Sequence, residues 1–150
     1  MSIHYTSARL QDRAEIAALL EEVRLIADDL PEHLSGFVLA REGDQLVGVA
    51  GLESFGEVAL LRSVAVKPTH RGRQIAEHLL EQLLEMAQSQ SIAQLYLITT
   101  TAEDYFAGHG FSSINRQSVP LAVQQSAQFS SLCPASAAVM HRSLPILAHE

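Results

Sequence analysis

The residue pattern predicts a mixed α/β fold, a single layer of sheet with helices on both faces. Two observations carry that expectation. Short β-branched or alternating runs are interleaved with segments of helical period in the order β-α-α-β-β-β-α-β-α-β-α-β, about seven strands in one domain spanning residues 1–150. In addition, the apolar run Glu57 to Val66 stops at Pro68, crosses a short basic loop containing Gly72, and enters a helix over Gln74 to Ser89.

The elements follow in order. Ile3 to Arg9 alternates weakly and reads as a first strand. Asp12 as N-cap with Glu15 three residues on opens a helix whose apolar positions are Ile16, Leu19, Leu20 and Val23. Asp28 to Gly36, with Pro31, reads as a short second helix and a loop. Phe37 to Arg41 and Gln45 to Leu52 flank Glu42-Gly43-Asp44, whose turn chemistry predicts a hairpin. In the helix over 74–89, Ile75, Leu79, Leu80, Leu83, Leu84 and Ala87 share one face and read as core. Leu95 to Thr100 is a short apolar strand, Ala102 to His109 a helix closed by Gly110, and Phe111 the start of another strand. Ser118, as N-cap, and Pro120 open a short helix reaching about Phe129; Ala137 to Leu144 is the last strand.

Composition narrows the function classes. Ten basic against 17 acidic residues give a net charge of −7, and the only basic tract is Lys67 to Arg73, so nucleic acid is not an expected partner. The one cysteine, Cys133, allows no internal disulfide framework and suits a reducing compartment. No apolar run approaches the roughly 18 residues of a membrane span, and the first residues lack a secretory pattern. A cytoplasmic protein with no membrane partner is expected. The seven histidines show no ligand spacing, so no metal is expected.

The loop before the long helix carries the chemistry. A glycine-containing turn that opens a helix directs unpaired backbone N–H groups outward beside the positive end of the helix dipole, an arrangement suited to a phosphate or pyrophosphate. Arg71 and Arg73 add side-chain charge at the same place, while the adjoining His70 reads as a solvated loop residue. The segment Arg71-Gly72-Arg73-Gln74-Ile75-Ala76 resembles the Q/R-x-x-G-x-G/A pyrophosphate loop of the GNAT superfamily of acetyl-CoA-dependent N-acetyltransferases. Arg71 and Ala76 match the ends of that pattern; Gln74 replaces its inner glycine, and its side chain limits how closely a phosphate approaches.

The element order also resembles the GNAT fold over nearly the whole chain. The resemblance implies a mixed, mostly antiparallel sheet splayed between its fourth and fifth strands, here Glu57–Val66 and Leu95–Thr100. It further implies acetyl-CoA as cosubstrate, with the backbone of Val64, Ala65 and Val66 pairing with the pantetheine amides and Arg71, Gly72, Arg73, Gln74, Ile75 and Ala76 holding the pyrophosphate. Leu95 to Ala102, Tyr105-Phe106 and Gly110-Phe111 are similar to the catalytic domain of bacterial amino-acid N-acetyltransferases that act on glutamate. Leu61 to Val66 and Phe129 to Ser136 look like stand-alone GNAT proteins of arsenic-resistance operons. These resemblances imply transfer of acetyl to the amine of a small carboxylate-bearing acceptor in a ternary complex. The alternatives are a non-catalytic acyl-CoA sensor and a protein-amine acetyltransferase; a homodimer is the assembly common in the family.

Acetyl transfer from a thioester needs a neutral amine, a polarised carbonyl and a proton for the departing thiol. The family's thiol acid is a tyrosine five residues before the phenylalanine of the Gly-Phe pair; that position is Phe106, which cannot donate and is assigned to the cofactor. Tyr105 is the candidate acid, although it points about 100° away around the helix, and packing is its other reading. Glu57 is the candidate base, set against a solvated strand end. Arg62, a cation in an apolar strand, either clamps an acceptor carboxylate or pairs internally with Glu53, Glu57 or Asp104. On a period of two, Arg62 shares a face with Leu60, Val64 and Val66. Thr99, Thr100 and Thr101 end the fifth strand as candidate acceptor contacts or as ordinary strand threonines. Ser131, Cys133 and Ser136 are placed near the acceptor or in a packed loop.

Overall fold

The structure, a computed structural model, describes residues 2–25, 27, 30–100, 102–126 and 137–144. Its strands are β1 (Ile3–Ser7), β2 (Phe37–Glu42), β3 (Gln45–Phe55), β4 (Val58–Val66), β5 (Gln94–Thr99), β6 (Ser112–Ser113) and β7 (Ala138–Ser143). Its α-helices are α1 (Arg13–Glu22), α2 (Ile75–Ser89), α3 (Glu103–Ala107) and α4 (Leu121–Gln124). The strands form one seven-stranded sheet in the order β1-β2-β3-β4-β5-β7-β6. β4 and β5 are parallel, whereas β1 with β2, β2 with β3, β5 with β7 and β6 with β7 are antiparallel. The expected mixed, mostly antiparallel sheet is present.

The chain divides into two units, Met1–Glu53 with Arg62–Met86 and Ser54–Leu61 with Ala87–Glu150. In the first unit, Ile16, Leu19 and Leu20 of α1 pack with Leu30, Leu34, Phe37, Leu39, Val49 and Ala65. The hairpin between β2 and β3 closes where the turn residues placed it: Glu42 pairs with Gln45, and Gly43 takes φ +61°. The predicted stripe of α2 is buried at Ile75, Leu79, Leu80, Leu83 and Ala87. Gly48 of β3 lies directly beneath that helix. A Cβ at this position would stand 3.0 Å from Ile75 and 3.1 Å from Leu79, so the absent side chain lets the first turn of α2 sit close on the sheet.

Three local expectations are corrected. No helix forms over the described residues 30–36; Arg13 instead takes the carbonyls of Pro31 at 2.7 Å and Leu30 at 2.9 Å, and Leu30 and Leu34 turn into the core. Ser118 ends a 3-10 turn over Arg116–Ser118, and the capping side chain there is Asn115, which accepts from the Gln117 N–H at 2.8 Å. The extended Pro120 (ψ 144°) then separates that turn from α4; the expected helix end at Phe129 lies outside the described residues. Asp12 stands at the N-cap of α1 as expected, but its carboxylate accepts from the Arg9 N–H at 2.8 Å and from Arg41 at 3.0 Å.

The second unit is built on β5 and β7, paired from Gln94↔Ser143 to Thr99↔Ala138. Leu60, Tyr96, Val119, Val123 and Val139 form its apolar cluster, joined by Phe55, Val58, Ile98 and Ile114.

Candidate functional site

The loop between β4 and α2 is anchored at its start and strained at its end. The Lys67 N–H donates to the Val47 carbonyl at 2.8 Å, and its ammonium reaches Glu22 at 2.8 Å. Pro68 opens a 3-10 turn over Pro68–His70. Arg71 is extended (φ −68°, ψ 153°), Gly72 turns to φ +83° and Gln74 to φ +62° before α2 begins at Ile75. A Cβ on Gly72 would meet nothing within 4 Å, so it is the backbone angle that calls for glycine there, not crowding.

Gln74 occupies the position where the pyrophosphate pattern has glycine, and it adopts the left-handed conformation that glycine favours. This costs about 1 kcal/mol in an L-residue. Two bonds hold it there: the His78 N–H and its Nδ1 both meet the Gln74 carbonyl, at 3.2 Å and 2.7 Å. The first four N–H groups of a helix have no acceptor within it. Counted from the N-cap Gln74, these belong to Gln74, Ile75, Ala76 and Glu77; the His78 N–H makes the first helical bond, to the Gln74 carbonyl, and the N–H groups of Ile75, Ala76 and Glu77 stand at the mouth of α2. Arg71 and Arg73 are exposed beside them.

His70 corrects the expectation of a solvated loop residue. It is buried, with Nε2 2.8 Å from Glu42 Oε1 and Nδ1 2.8 Å from Thr69 Oγ1. Glu42 Oε2 in turn accepts from Arg73 Nη1 at 3.2 Å. The bond from His70, with the charges of His70 and Arg73 behind it, holds the Glu42 carboxyl below its ordinary range. His70 has no composition signal to betray this role, because Glu42 reaches it across 28 residues of sequence.

In β4, Val64 and Val66 are half-buried and Ala65 is buried. Ser63 has φ +58°, a left-handed residue in mid-strand, so the alternation expected from Leu60 through Arg62 to Val64 and Val66 is broken. Leu60 belongs to the apolar cluster of the second unit and Ala65 to that of the first. Arg62 is buried, its Nη1 3.0 Å from Glu53, its Nε 3.2 Å from Ser63 Oγ and its guanidinium 6.0 Å over the Phe37 ring. The internal ion pair is thus formed with Glu53, one of the three partners the sequence allowed. The parallel ladder covers Val58↔Gln94, Ala59↔Leu95 and Leu60↔Tyr96, three residues of a nine-residue strand.

In the second unit, Glu57 is exposed, and its carbonyl accepts from the Ala93 N–H at 2.8 Å. Thr99 Oγ1 accepts from the Ala102 N–H at 2.9 Å, closing the turn into α3, while Thr100 is exposed. Tyr105 is half-buried with its ring 4.4 Å from His109 and 5.2 Å from Phe106. Phe106 is buried edge-on against Phe111, centroids 5.7 Å apart. Thr101, Ser131, Cys133 and Ser136 lie outside the described residues. The sequence reading missed a further group: Tyr96 opposite His141 in the β5–β7 ladder, with His141 Nε2 and Ser143 Oγ both on Gln94 Oε1. Burial raises the Tyr96 phenol and lowers the His141 imidazole from their ordinary pKa values. Only the strand register brings these residues together, so no linear motif announces them.

Among the described residues, no cluster of three His, Cys, Asp or Glu is arranged to hold a metal, and no helix is long and apolar enough to cross a membrane.

Comparison with known proteins gives this geometry a family. The chain is 28% identical over 123 residues to an amino-acid acetyltransferase of Neisseria meningitidis, an alignment covering 79% of this chain and 27% of that protein. It therefore spans about a quarter of the length of the curated relatives it matches. Its fold is similar to that of N-acetylglutamate synthase from Neisseria gonorrhoeae, complexed with coenzyme A and N-acetyl-glutamate, with a TM-score of 0.82 at 22% identity, covering 97% of this chain and 36% of that one. A Mycobacterium tuberculosis protein in complex with CoA and NLQ matches with a TM-score of 0.78 at 22% identity, covering 95% and 99% of the two chains. The acetyltransferase (GNAT) family model matches residues 5–111, and with the loop and the sheet described above, the chain belongs to that family.

Proposed function

We propose that this chain transfers acetyl from acetyl-CoA to the amine of a small, carboxylate-bearing acceptor by direct attack in a ternary complex. The observation that carries the reading is the loop before α2. Gly72 and Gln74 both take positive φ, three N–H groups stand at the helix mouth, and Arg71 and Arg73 flank them. This donor set fits a diphosphate, and in this reading Arg71, Gly72, Arg73, Gln74, Ile75 and Ala76 hold that of acetyl-CoA. Val64, Ala65 and Val66 offer their peptide groups to the pantetheine arm. The end of the β4–β5 ladder at Leu60 supports this, since β4 has no register partner on β5 beyond it among the described residues.

Chemically, the amine nitrogen attacks the thioester carbon, the carbon–sulfur bond breaks, and a proton passes from the nitrogen to the leaving sulfur. An α-amino group of pKa about 8 is neutral in roughly a tenth of molecules at pH 7, and a thiol of pKa about 8.5 leaves readily, so orientation supplies much of the acceleration. In this reading Glu57 relays the amine proton and Tyr105 supplies one to sulfur, with Phe106 packing against the cofactor. Arg62 draws the acceptor carboxylate, assisted by Thr99 and Thr100.

The relatives named for amino-acid acetylation support an amino acid, or an analogue of glutamate, as acceptor. The test is free-thiol release from acetyl-CoA with a panel of amino acids, arsenical and phosphinic analogues and peptide amines. Release with carboxylate-bearing small amines is expected. Coenzyme A binding without release would instead indicate a sensor module, a reading favoured by the phenylalanine at the family's acid position and by the pairing of Arg62 with Glu53.

A further inference from the structure

We propose that Glu42 is a positioning residue for the diphosphate loop, acting through His70; this rests on the coenzyme reading above. Glu42 is the last residue of β2, fixed in two ladders opposite Ile3 and Gln45. Its two oxygens reach across to the loop on either side of Gly72: Oε1 meets His70 Nε2 at 2.8 Å, and Oε2 accepts from Arg73 at 3.2 Å.

The chemistry of the partners assigns the histidine. An ionised carboxylate only accepts, so Nε2 carries a proton, and Thr69 Oγ1 completes the ring at Nδ1. The imidazole is buried, with 8% of its side chain exposed, and the carboxylate is partly so at 16%. His70 is therefore held from both ends as a rigid strut between the sheet and the 3-10 turn. Beyond it the chain passes through Gly72 and Gln74, the two left-handed residues of the loop. Glycine takes such an angle freely, whereas Gln74 keeps it only where the surroundings impose it. The strut fixes where the chain enters that pair, and the His78 bonds to Gln74 fix where it leaves.

The second oxygen has a different consequence. Glu42 supplies Arg73 with a countercharge before any ligand arrives, keeping that guanidinium near the loop while lowering its net attraction for an anion. Arg71 has no carboxylate partner among the described residues, and it is the exposed cation left to the ligand. Glu42 thus serves shape through Oε1 and moderates charge through Oε2.

The two roles separate by substitution. In Glu42→Gln the side-chain carbonyl can still accept from His70 Nε2, but the countercharge is gone; Glu42→Ala removes both. Calorimetric titration with coenzyme A is expected to show Glu42→Ala about tenfold weaker than the parent, the size of one lost hydrogen bond to a charged group. Glu42→Gln is expected to restore binding to within about threefold of the parent. Turnover of acetyl-pantetheine, which lacks the diphosphate, should be the same in the parent and in Glu42→Ala, whereas the acetyl-CoA KM rises with little change in kcat. His70→Ala should reproduce the Glu42→Ala loss and carries the test should Glu42→Ala not fold. Equal weakening by Glu42→Gln and Glu42→Ala, unchanged affinity in Glu42→Ala or His70→Ala, or an equal loss with acetyl-pantetheine would each overturn the proposal. Failure of the parent itself to bind coenzyme A would instead remove the coenzyme reading.

Discussion

Gln74→Gly and Gly72→Ala perturb the loop in opposite directions. Gln74 takes φ +62° with a side chain attached, while Gly72 takes φ +83° without one. The left-handed conformation costs an L-residue about 1 kcal/mol. Glycine removes that cost but loses more chain entropy on folding, by about 0.4–1 kcal/mol relative to alanine. Comparison with Gln74→Ala isolates the backbone contribution, because alanine keeps the strain and deletes the same side chain. The glycine variant should exceed the alanine variant by up to about 0.6 kcal/mol once both effects are counted, with a Tm difference of about 2–4 °C per kcal/mol in a chain of this size. By the same accounting Gly72→Ala should lose up to about 0.6 kcal/mol even though its Cβ would meet nothing within 4 Å. The assay is thermal unfolding followed by circular dichroism, with coenzyme A titrated into each folded variant. Gln74→Gly should bind at least as tightly as the parent, and Gly72→Ala more weakly. A Gln74→Ala variant more stable than Gln74→Gly would refute the argument, since it would mean that Gln74 does not occupy the left-handed region.

Other consequences can be checked in parallel. Arg62→Ala leaves Glu53 without its partner beneath Phe37; with Glu53 partly exposed, a loss of about 2–3 kcal/mol is expected in denaturant unfolding. If Arg62 also draws the acceptor carboxylate, the milder Arg62→Lys should raise the acceptor KM far more than the acetyl-CoA KM. Thr99→Val removes the acceptor for the Ala102 N–H and should cost about 1 kcal/mol in the same unfolding assay. The Glu42 carboxyl is held below its ordinary value of 4.5, so the stability it contributes is present above that pH and is lost as the pH falls through the lower folded value. His141 is likewise depressed below 6.5, so its contribution is complete above that value and wanes on acidification; Tm measured from pH 8 to pH 3 should fall less steeply in Glu42→Gln below the carboxylate range and in His141→Gln below the imidazole range.

Most of the architecture was legible because it rests on short-range chemistry. The period of Ile75, Leu79 and Leu83 announced α2, and Glu42-Gly43-Asp44 announced the hairpin, since each pattern has one inexpensive way to bury its apolar side. The conformation of the loop before α2 was legible for the same reason: strand, glycine, arginines and helix follow one another along the chain. What escaped was tertiary. Arg13 took the carbonyls of Leu30 and Pro31, and no helix forms over 30–36; Ser118 ends a 3-10 turn capped by Asn115, and Pro120, not Ser118, stands at the N-cap of α4. The left-handed Ser63 interrupted a period-two reading that had placed Arg62 on the face of Val64 and Val66. The His70–Glu42 strut and the Tyr96–His141–Gln94 group depend on which strands lie side by side, and that information is spread over the whole sheet. Arg62 was recognised as needing a partner, yet local pattern alone did not choose among Glu53, Glu57 and Asp104.

The most direct test of the account is calorimetric titration of coenzyme A and, separately, pantetheine into the parent protein and Arg71→Glu. Coenzyme A should bind the parent at least about tenfold more tightly than pantetheine, and that advantage should largely vanish when the loop cation becomes an anion. Equal affinities for the two ligands, or an Arg71→Glu variant that still prefers coenzyme A as the parent does, would contradict it.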